Sequence, residues 1–455
     1  MKQFLLIISL ILISISNSLS VNWQDRKMFN VGKEPSAVFV DNGGKFANPI
    51  VYIICSGYDM NFNDTLDVKD GDETPSIWAL QLKYLSQYTE PNVFKVCDLP
   101  FGSIGRLGGP MRVGYTPVDA DSSTFTSYLY LPQNGKISRY TLVNGKMTLK
   151  EDLLNFKADA VSVINNNLLL SVNSPSSRIF IYDMLNKIFL DSITTPKNVM
   201  QTYSNHIDYI FAVCEGNFGK NDGKLLFIDL NMKKDTSLNA GDTPNYLSTM
   251  QENDNEACLI SNGSHEMRLI GKNIELVKLP TSGYSGPREC AYDGQSWLVT
   301  AYDGKVYSYD TTAKKFTTLD SLNEMLESIR VYAPLKGNPA SWMFVTAALN
   351  MDYSPSNHLY VYDNGYQAVD EPSADIGINM FPNPTNNIIN IKILESSNSK
   401  AYSVELLSYL GNSIKIMSNI YSSEISLNIE ELASGIYFIK YTSTNKTVLL
   451  PIVKQ

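Results

Sequence analysis

Side chains able to do chemistry are thinly scattered along this chain of 455 residues. His206, His265 and His358 fall in different segments, and none stands in the His-Glu-x-x-His spacing that puts two imidazoles on one helix face. Turn or strand-edge positions are the plainer reading for each. Gly283, Ser285 and Gly286 outline a nucleophile elbow only superficially, because Pro287 occupies the place of the second glycine and no strand-to-helix turn is legible. Cys55, Cys97, Cys214, Cys258 and Cys290 match no zinc or redox spacing. All but Cys97 sit beside apolar residues that read as strands, which predicts buried free thiols, and an odd count leaves at least one unpaired in a monomer.

Two groups of side chains suggest binding instead. Asp59, Asn61, Asn63, Asp67 and Asp70 place oxygen donors at loop positions 1, 3, 5, 9 and 12, a spacing that suits a hard cation such as calcium. The run resembles the calcium loop of EF-hands and dockerins. It departs from that loop at Asp64, where a glycine normally stands, at the short Asp70 in the last position, and in flanks that read as strand and loop. A solvated acidic loop between strands is the competing reading. The second group is the loop from Glu215 to Asp222 together with Arg288 and Glu289, with Arg106 and Arg112 as further candidates for one binding face. Lys and Arg (37) are outnumbered by Asp and Glu (46), for a net charge of −9, and no basic face stands out, which argues against a duplex nucleic-acid binder.

The elements that must position these residues form a repeat. A five-residue strand with apolar residues mostly at its first, third and fourth places, often ending in Asp, recurs at 77–81, 137–141, 179–183, 225–229, 267–271, 306–310 and 359–363. The starts lie 39 to 60 residues apart, mostly 39 to 46, the spacing of propeller blades. Most units carry an apolar strand upstream and a more polar strand downstream, joined by Asn-Gly or Asp-Gly turns such as 222–223 and 303–304. The closing Asp is expected to accept hydrogen bonds from the next turn's amides. Seven copies predict an all-β, seven-bladed β-propeller over residues 28–370; a miscounted unit would make it six or eight. The glycine-rich stretch 102–110 reads as an enlarged loop. The pattern resembles the YVTN-type and WD-repeat-like propellers of bacterial extracytoplasmic proteins.

Both ends of the chain carry address signals. Lys2, an apolar run over 4–15 and small residues at 18 and 20 predict a signal peptide over 1–20, with a retained anchor as the alternative. No other stretch reads as a membrane span. Residues 371–378 read as a linker. Then Phe381, Pro382, Asn383 and Pro384, Gly411, and finally Gly435, Ile436 and Tyr437 mark a module over 379–455 that predicts a small Ig-like β-sandwich. These spaced elements resemble the C-terminal sorting domain of type IX secretion cargo, found in Bacteroidetes. The resemblance implies the secretion machinery as partner, delivery through the periplasm to the cell surface or beyond, and removal of the module during export.

With so few catalytic candidates, the sequence favours a non-catalytic binding module for polysaccharide, peptide or protein, with an unknown extracellular ligand. The alternatives are a propeller-fold glycosidase or lyase, for which paired carboxylates about 5 to 10 Å apart would be needed, and a purely structural envelope protein.

Overall fold

Apolar runs too long for one-sided strands set the architecture. Ile50–Cys55 is buried at every position, whereas Ile188–Thr194 and Lys315–Ser321 are largely exposed. A strand covered on both faces reads as a continuous apolar run, and a strand at a rim does not. The computed structural model describes residues 23–41, 50–61, 65–82, 93–99, 114–117, 127–133, 135–143, 146–164, 167–172, 177–206, 209–230, 234–249, 256–332, 342–364, 378–381, 385, 387–393, 402–408, 413–433, 435–443 and 446–454. The signal-peptide segment 1–20, the stretch 102–110 with Arg106, Arg112, Asn63 and the linker residues 371–377 lie outside these. The chain divides into two compact units, Met1–Tyr366 and Gln367–Gln455.

Among the described residues the first unit forms seven four-stranded antiparallel sheets. Blade 1 comprises Pro35–Asp41, Ile50–Cys55, Ser76–Gln81 and Val93–Asp98; blade 2, Gly114–Pro117, Ser127–Gln133, Lys136–Val143 and Lys146–Leu154; blade 3, Ala160–Ile164, Asn167–Val172, Arg178–Asp183 and Ile188–Thr194. Blade 4 comprises Val199–His206, Tyr209–Cys214, Gly223–Asp229 and Lys234–Gly241; blade 5, Pro244–Thr249, Ala257–Ser261, Glu266–Ile270 and Ile274–Lys278; blade 6, Pro287–Tyr292, Ser296–Ala301, Lys305–Asp310 and Lys315–Ser321. Blade 7 takes Glu324–Tyr332, Trp342–Asn350 and Pro355–Asp363 from the end of the unit and Gln24–Asn30 from its beginning. The recurrent motif is the third strand of every blade. Its Asp closes the following turn as expected: Asp183 accepts from the Leu185 and Asn186 amides at 2.8 and 3.0 Å, and Asp310 from those of Thr312 and Ala313 at 2.8 and 2.9 Å.

The ring closes through seven apolar clusters, one per blade interface. Tyr52 and Ile77 pack on Leu129 and Leu131; Ile137 on Leu168; Leu169 and Ile179 on Val199 and Ile210; Leu225 on Leu259. Ile260 packs on Val299, Leu298 on Val345, and Phe344 and Leu359 return to Val51 and Ile53 of blade 1. The last closure needs the N-terminal strand. Gln24–Asn30 pairs antiparallel with Pro355–Asp363 and becomes the outer strand of blade 7, a role that the repeat pattern, read from residue 28, did not reveal. Arg26 fastens it to Asp320 of blade 6 at 2.7 Å.

Four of the five cysteines are buried, Cys97 is half-buried, and all are free thiols. Burial pushes Cys97 up to about 11 and Cys214 up to about 12, so both are protonated and inert at neutral pH.

The second unit is a β-sandwich. A three-stranded sheet (Ile378–Phe381, Ile388–Ile393, Glu424–Asn428) faces a four-stranded one (Tyr402–Ser408, Ser413–Ile420, Gly435–Ser443, Lys446–Lys454). Ile389, Ile391 and Leu427 of the first fill the core with Val404, Leu406, Ile439 and Ile452 of the second.

Truncating a fully buried interface side chain should cost far more than truncating a rim one. Phe344→Ala, in the closing interface, is expected to lower unfolding free energy by about 3–5 kcal/mol, and Phe189→Ala, at 46% exposure, by clearly less. Urea or guanidinium melts of the two variants check the ranking.

Candidate functional site

The first strand of each blade is the innermost, since it makes the contacts to neighbouring blades. Five of these strands break register near their starts: between Pro35 and Ala37, Val199 and Gln201, Pro244 and Tyr246, Pro287 and Cys290, and Leu326 and Ile329. A bulge re-aims the residues it contains. The residues inside these breaks include Ser36, Asn245, Arg288, Glu289, Glu327 and Ser328. Polar groups thereby leave the ladder and bridge blades along the inner strands. Gln201 donates to the Leu247 carbonyl (3.2 Å) and Asn245 to that of Arg288 (2.5 Å). Arg288 and Arg330 then carry the seam across the interface of blades 6 and 7.

Two carboxylates anchor that interface. Glu327, fully buried, accepts from Arg288 Nη2 at 2.6 Å and Nε at 3.1 Å, and from the Tyr302 hydroxyl at 2.6 Å. The Arg288 guanidinium stands over the Tyr302 ring, 4.6 Å from its centroid. Glu289, also fully buried, accepts from Arg330 (2.7 Å), Ser328 Oγ (2.7 Å) and the Ile329 amide (3.2 Å), and Arg330 lies 5.2 Å from the Tyr246 ring centroid. Burial alone would lower both guanidinium pKa values, but Glu327 and Glu289 outweigh it and hold both above the ordinary value. Tyr302 is raised by burial, with Arg288 opposing. Both pairs are stacked on a tyrosine ring, and Arg288 grips Glu327 with two of its nitrogens, a planar fork that a lysine could not reproduce.

Glu34, immediately before the first strand of blade 1, joins the same neighbourhood. Its φ of 50° is left-handed, as are those of Asn198 (58°) and Thr243 (47°) at the matching places in blades 4 and 5. Such a backbone is uncommon outside glycine. Here the carbonyls of Glu34, Asn198 and Thr243 accept from the amides of Ser56, Glu215 and Asn262 at 2.9, 2.8 and 2.9 Å, and the Glu34 amide donates to Ser356 at 2.8 Å. Burial pushes the Glu34 carboxyl up to about 7, and Glu327 adds to the shift. Glu215 is likewise raised by burial, while Arg288 and Asn198 pull it back.

Of the residues singled out by sequence, Glu215, Arg288 and Glu289 do come to this end of the inner strands. Asp222 instead braces its own loop, accepting from the Asn217 amide and side chain at 2.7 Å each. Glu34, Glu327, Tyr302 and Arg330 were missed; the available signal was charge inside otherwise apolar inner strands, as in Glu324–Tyr332. In the acidic loop, Asn61 donates to Asp70 (3.2 Å) and Asp67 accepts from the Lys69 amide (3.1 Å). Asp72, outside the calcium spacing, organises it by accepting from the Met60 and Asp67 amides at 2.7 Å each. Among the described residues no group of three or more His, Cys, Asp or Glu is placed to hold an ion. A calcium ion bound through Asp59, Asn61, Asn63, Asp67 and Asp70 would have to displace the Asn61–Asp70 bond.

His265 meets Thr281 Oγ1 at 2.9 Å, and His358 meets Glu324, at the start of the first strand of blade 7, at 2.8 Å. Ser285 sits in a turn between strands. In the second unit Phe381 pairs with Asn390, Gly435, Ile436 and Tyr437 pair with Lys454, Val453 and Ile452, and the Tyr437 hydroxyl donates to Ala433 at 2.9 Å. Pro382, Asn383, Pro384 and Gly411 lie outside the described residues.

Residues 379–455 match the secretion system C-terminal sorting domain family. This type IX sorting tail marks a secreted or cell-surface protein. Among solved structures the chain is similar to the propeller of Dos1, at 11% identity and a TM-score of 0.50, over 75% of this chain and 96% of that one. It is also similar to the extracellular domain of a putative one-component system from B. thetaiotaomicron, at 11% identity and a TM-score of 0.48, over 97% of this chain. The match spans 60% of that domain's length. No curated protein matches the chain. At such identities the likeness concerns the fold alone. Among the described residues no helix is long and apolar enough to cross a membrane.

The raised Glu34 pKa has a stability consequence. The folded state holds this proton more tightly than the unfolded chain, whose carboxyl titrates near 4.5, so the contribution is lost as pH rises from 4.5 through about 7. Glu34→Gln should therefore melt higher than the parent at pH 8, by up to about 3 kcal/mol, and coincide with it below pH 4.5. Melting curves at the two pH values check this.

Proposed function

We propose that this protein is a type IX cargo whose propeller works outside the cell as a non-catalytic binding module, on the surface or in the medium of a Bacteroidetes-type bacterium. The observation that carries this reading is the state of Glu289 and Glu327. Both carboxylates are held in place by arginine and hydroxyl donors, Glu327 by Arg288 and Tyr302 and Glu289 by Arg330 and Ser328, which suits a rigid frame for recognition better than proton transfer. The inner seam and the strand-end residues of blades 1, 4, 5 and 6 form the recognising surface. The signal peptide takes the chain to the periplasm, and the sorting tail engages the type IX machinery. Calcium at the acidic loop would be a structural ion of blade 1 on this reading.

The glycosidase or lyase alternative draws on Glu34, whose raised pKa suits a general acid. Its partner would have to be a free carboxylate, and Glu327 is occupied by Arg288 and Tyr302.

Deleting residues 379–455 is expected to leave the propeller folded but retained in the periplasm. Cell fractionation checks it, and surface delivery of the shortened chain would refute the sorting role. Glycan and peptide arrays probed with the protein should give ligands that it retains unchanged. Turnover of an array ligand would favour the enzyme instead.

A further inference from the structure

Three aromatic rings of the propeller face water from loops that are otherwise polar. Phe218 is 71% exposed, Tyr284 84% and Tyr353 63%. Phe218 lies between the second and third strands of blade 4, Tyr353 between those of blade 7, and Tyr284 on the link from blade 5 to blade 6. In antiparallel four-stranded blades all these connections fall at the end where the first strands begin, the end that also carries Asn198 and Thr243. Among the described residues the other exposed rings of this unit, Phe189 and Tyr209, belong to strands.

Single apolar side chains on loose loops would need no explanation, but these loops are braced. Asp222 accepts from the Asn217 amide at 2.7 Å on one side of Phe218, and both oxygens of Asp242 accept from the Gly219 amide at 2.9 Å on the other. The brace depends on Gly216, where a Cβ would stand 2.3 Å from Asp222 Oδ1. Across Tyr284, the Ser285 amide donates to the Ser282 carbonyl at 3.1 Å. Tyr353 has a φ of 66°, a left-handed backbone rare for a bulky side chain. Its amide donates to the Asn350 carbonyl at 2.9 Å, and the Ser354 amide donates to Asp352 at 3.0 Å.

The loops are also tied to one another. The Gly263 amide donates to Thr243 Oγ1 at 2.7 Å, the Leu279 amide to the His265 carbonyl at 2.8 Å and the Tyr302 amide to the Gly286 carbonyl at 3.2 Å. The Leu322 amide donates to the Gly304 carbonyl at 2.7 Å, and the Met351 methyl stands 2.8 Å from where a Cβ on Gly304 would lie [sic: P089]. One framework thus runs from the Phe218 loop through blades 5 and 6 to the Tyr353 loop. Rings fixed in water on such a framework contribute no burial to folding, but they are preorganised for a ligand.

The surroundings of the rings select the occupant. Each ring is the only large apolar side chain exposed in its loop, whereas a protein partner calls for a contiguous apolar centre. Amides and hydroxyls stand beside the rings in sequence: Asn217 and Asn221 near Phe218, Ser282 and Ser285 near Tyr284, Ser354 next to Tyr353. A pyranose ring has the matching anatomy, a face of C–H groups that stacks on an aromatic ring and a rim of hydroxyls that exchanges hydrogen bonds with amides. Lys197 and Lys220 near Phe218 are offset by Asp222 and Asp242, so a polyanion gains no advantage.

We infer that Phe218, Tyr284 and Tyr353 are stacking platforms for a neutral polysaccharide chain lying across the strand-start end of blades 4 to 7. The inference rests on the binding-module reading and supplies its ligand class.

The test is affinity electrophoresis of the full chain through native gels containing hydroxyethylcellulose, laminarin or a mannan, three neutral polysaccharides of different linkage. At least one should retard the protein. Phe218→Ala and Tyr284→Ala should each raise Kd roughly tenfold, while Phe218→Trp, which keeps a ring, should stay within about twofold of the parent. Tyr353→Asn, chosen because asparagine tolerates the left-handed backbone, should also weaken binding. Leu185→Ala removes a side chain that is 78% exposed at the opposite end of blade 3 and should change nothing. Unchanged circular dichroism spectra would show that every variant keeps the fold. Retardation, or capture of an array glycan, that survives loss of all three rings overturns the inference, as does an equal loss in Leu185→Ala. Capture of an array peptide while every glycan and all three polymers fail also overturns it, although the binding-module reading would stand. Failure of peptides and glycans alike would overturn both.

Discussion

Mutual burial of neighbouring blades is the constraint on which the propeller depends. A four-stranded sheet with apolar side chains on both faces has no stable existence in water by itself. Each blade here covers one face of the next, and only a closed circuit leaves no face uncovered. The seven clusters are therefore links in one ring, and the link between blades 7 and 1 is the one that chain connectivity does not supply. Gln24–Asn30 supplies it by completing blade 7 from the far end of the unit. Arg26, bound to Asp320, pins that strand across the neighbouring blade.

The same closure concentrates polar chemistry at the centre. First strands run closest to the axis, where neighbouring backbones crowd, and five of them relieve the ladder by a bulge near the start. Each bulge frees side chains that would otherwise alternate into an apolar interface. Buried charge is tolerable there only when paired and stacked, which Arg288 with Glu327 and Arg330 with Glu289 achieve. Glu34 breaks that pattern: it is 6% exposed, stands on a left-handed backbone, and burial raises its carboxyl pKa.

The second unit obeys a different logic. Its sandwich has one continuous core made by two sheets, so it needs no ring to be stable. Each unit has a core of its own, blade-interface clusters in the first and one sandwich core in the second.

The blade count, the all-β class and the sorting tail were legible in the sequence, because each rests on local pattern. The third strand of a blade repeats its apolar spacing and often ends in a turn-closing Asp, as Asp183 and Asp310 illustrate. The tail carries several spaced signals that need no tertiary context. The candidate site was legible only in fragments. Glu215, Arg288 and Glu289 drew notice as charge near strands, whereas Glu34, Glu327, Tyr302 and Arg330 did not. Their meeting depends on register shifts and on blades hundreds of residues apart in sequence becoming neighbours at closure. Hydrophobic periodicity encodes which residues form strands and which face they cover. It carries no record of where a ladder slips by one residue, and that slip decides which side chains turn toward the axis.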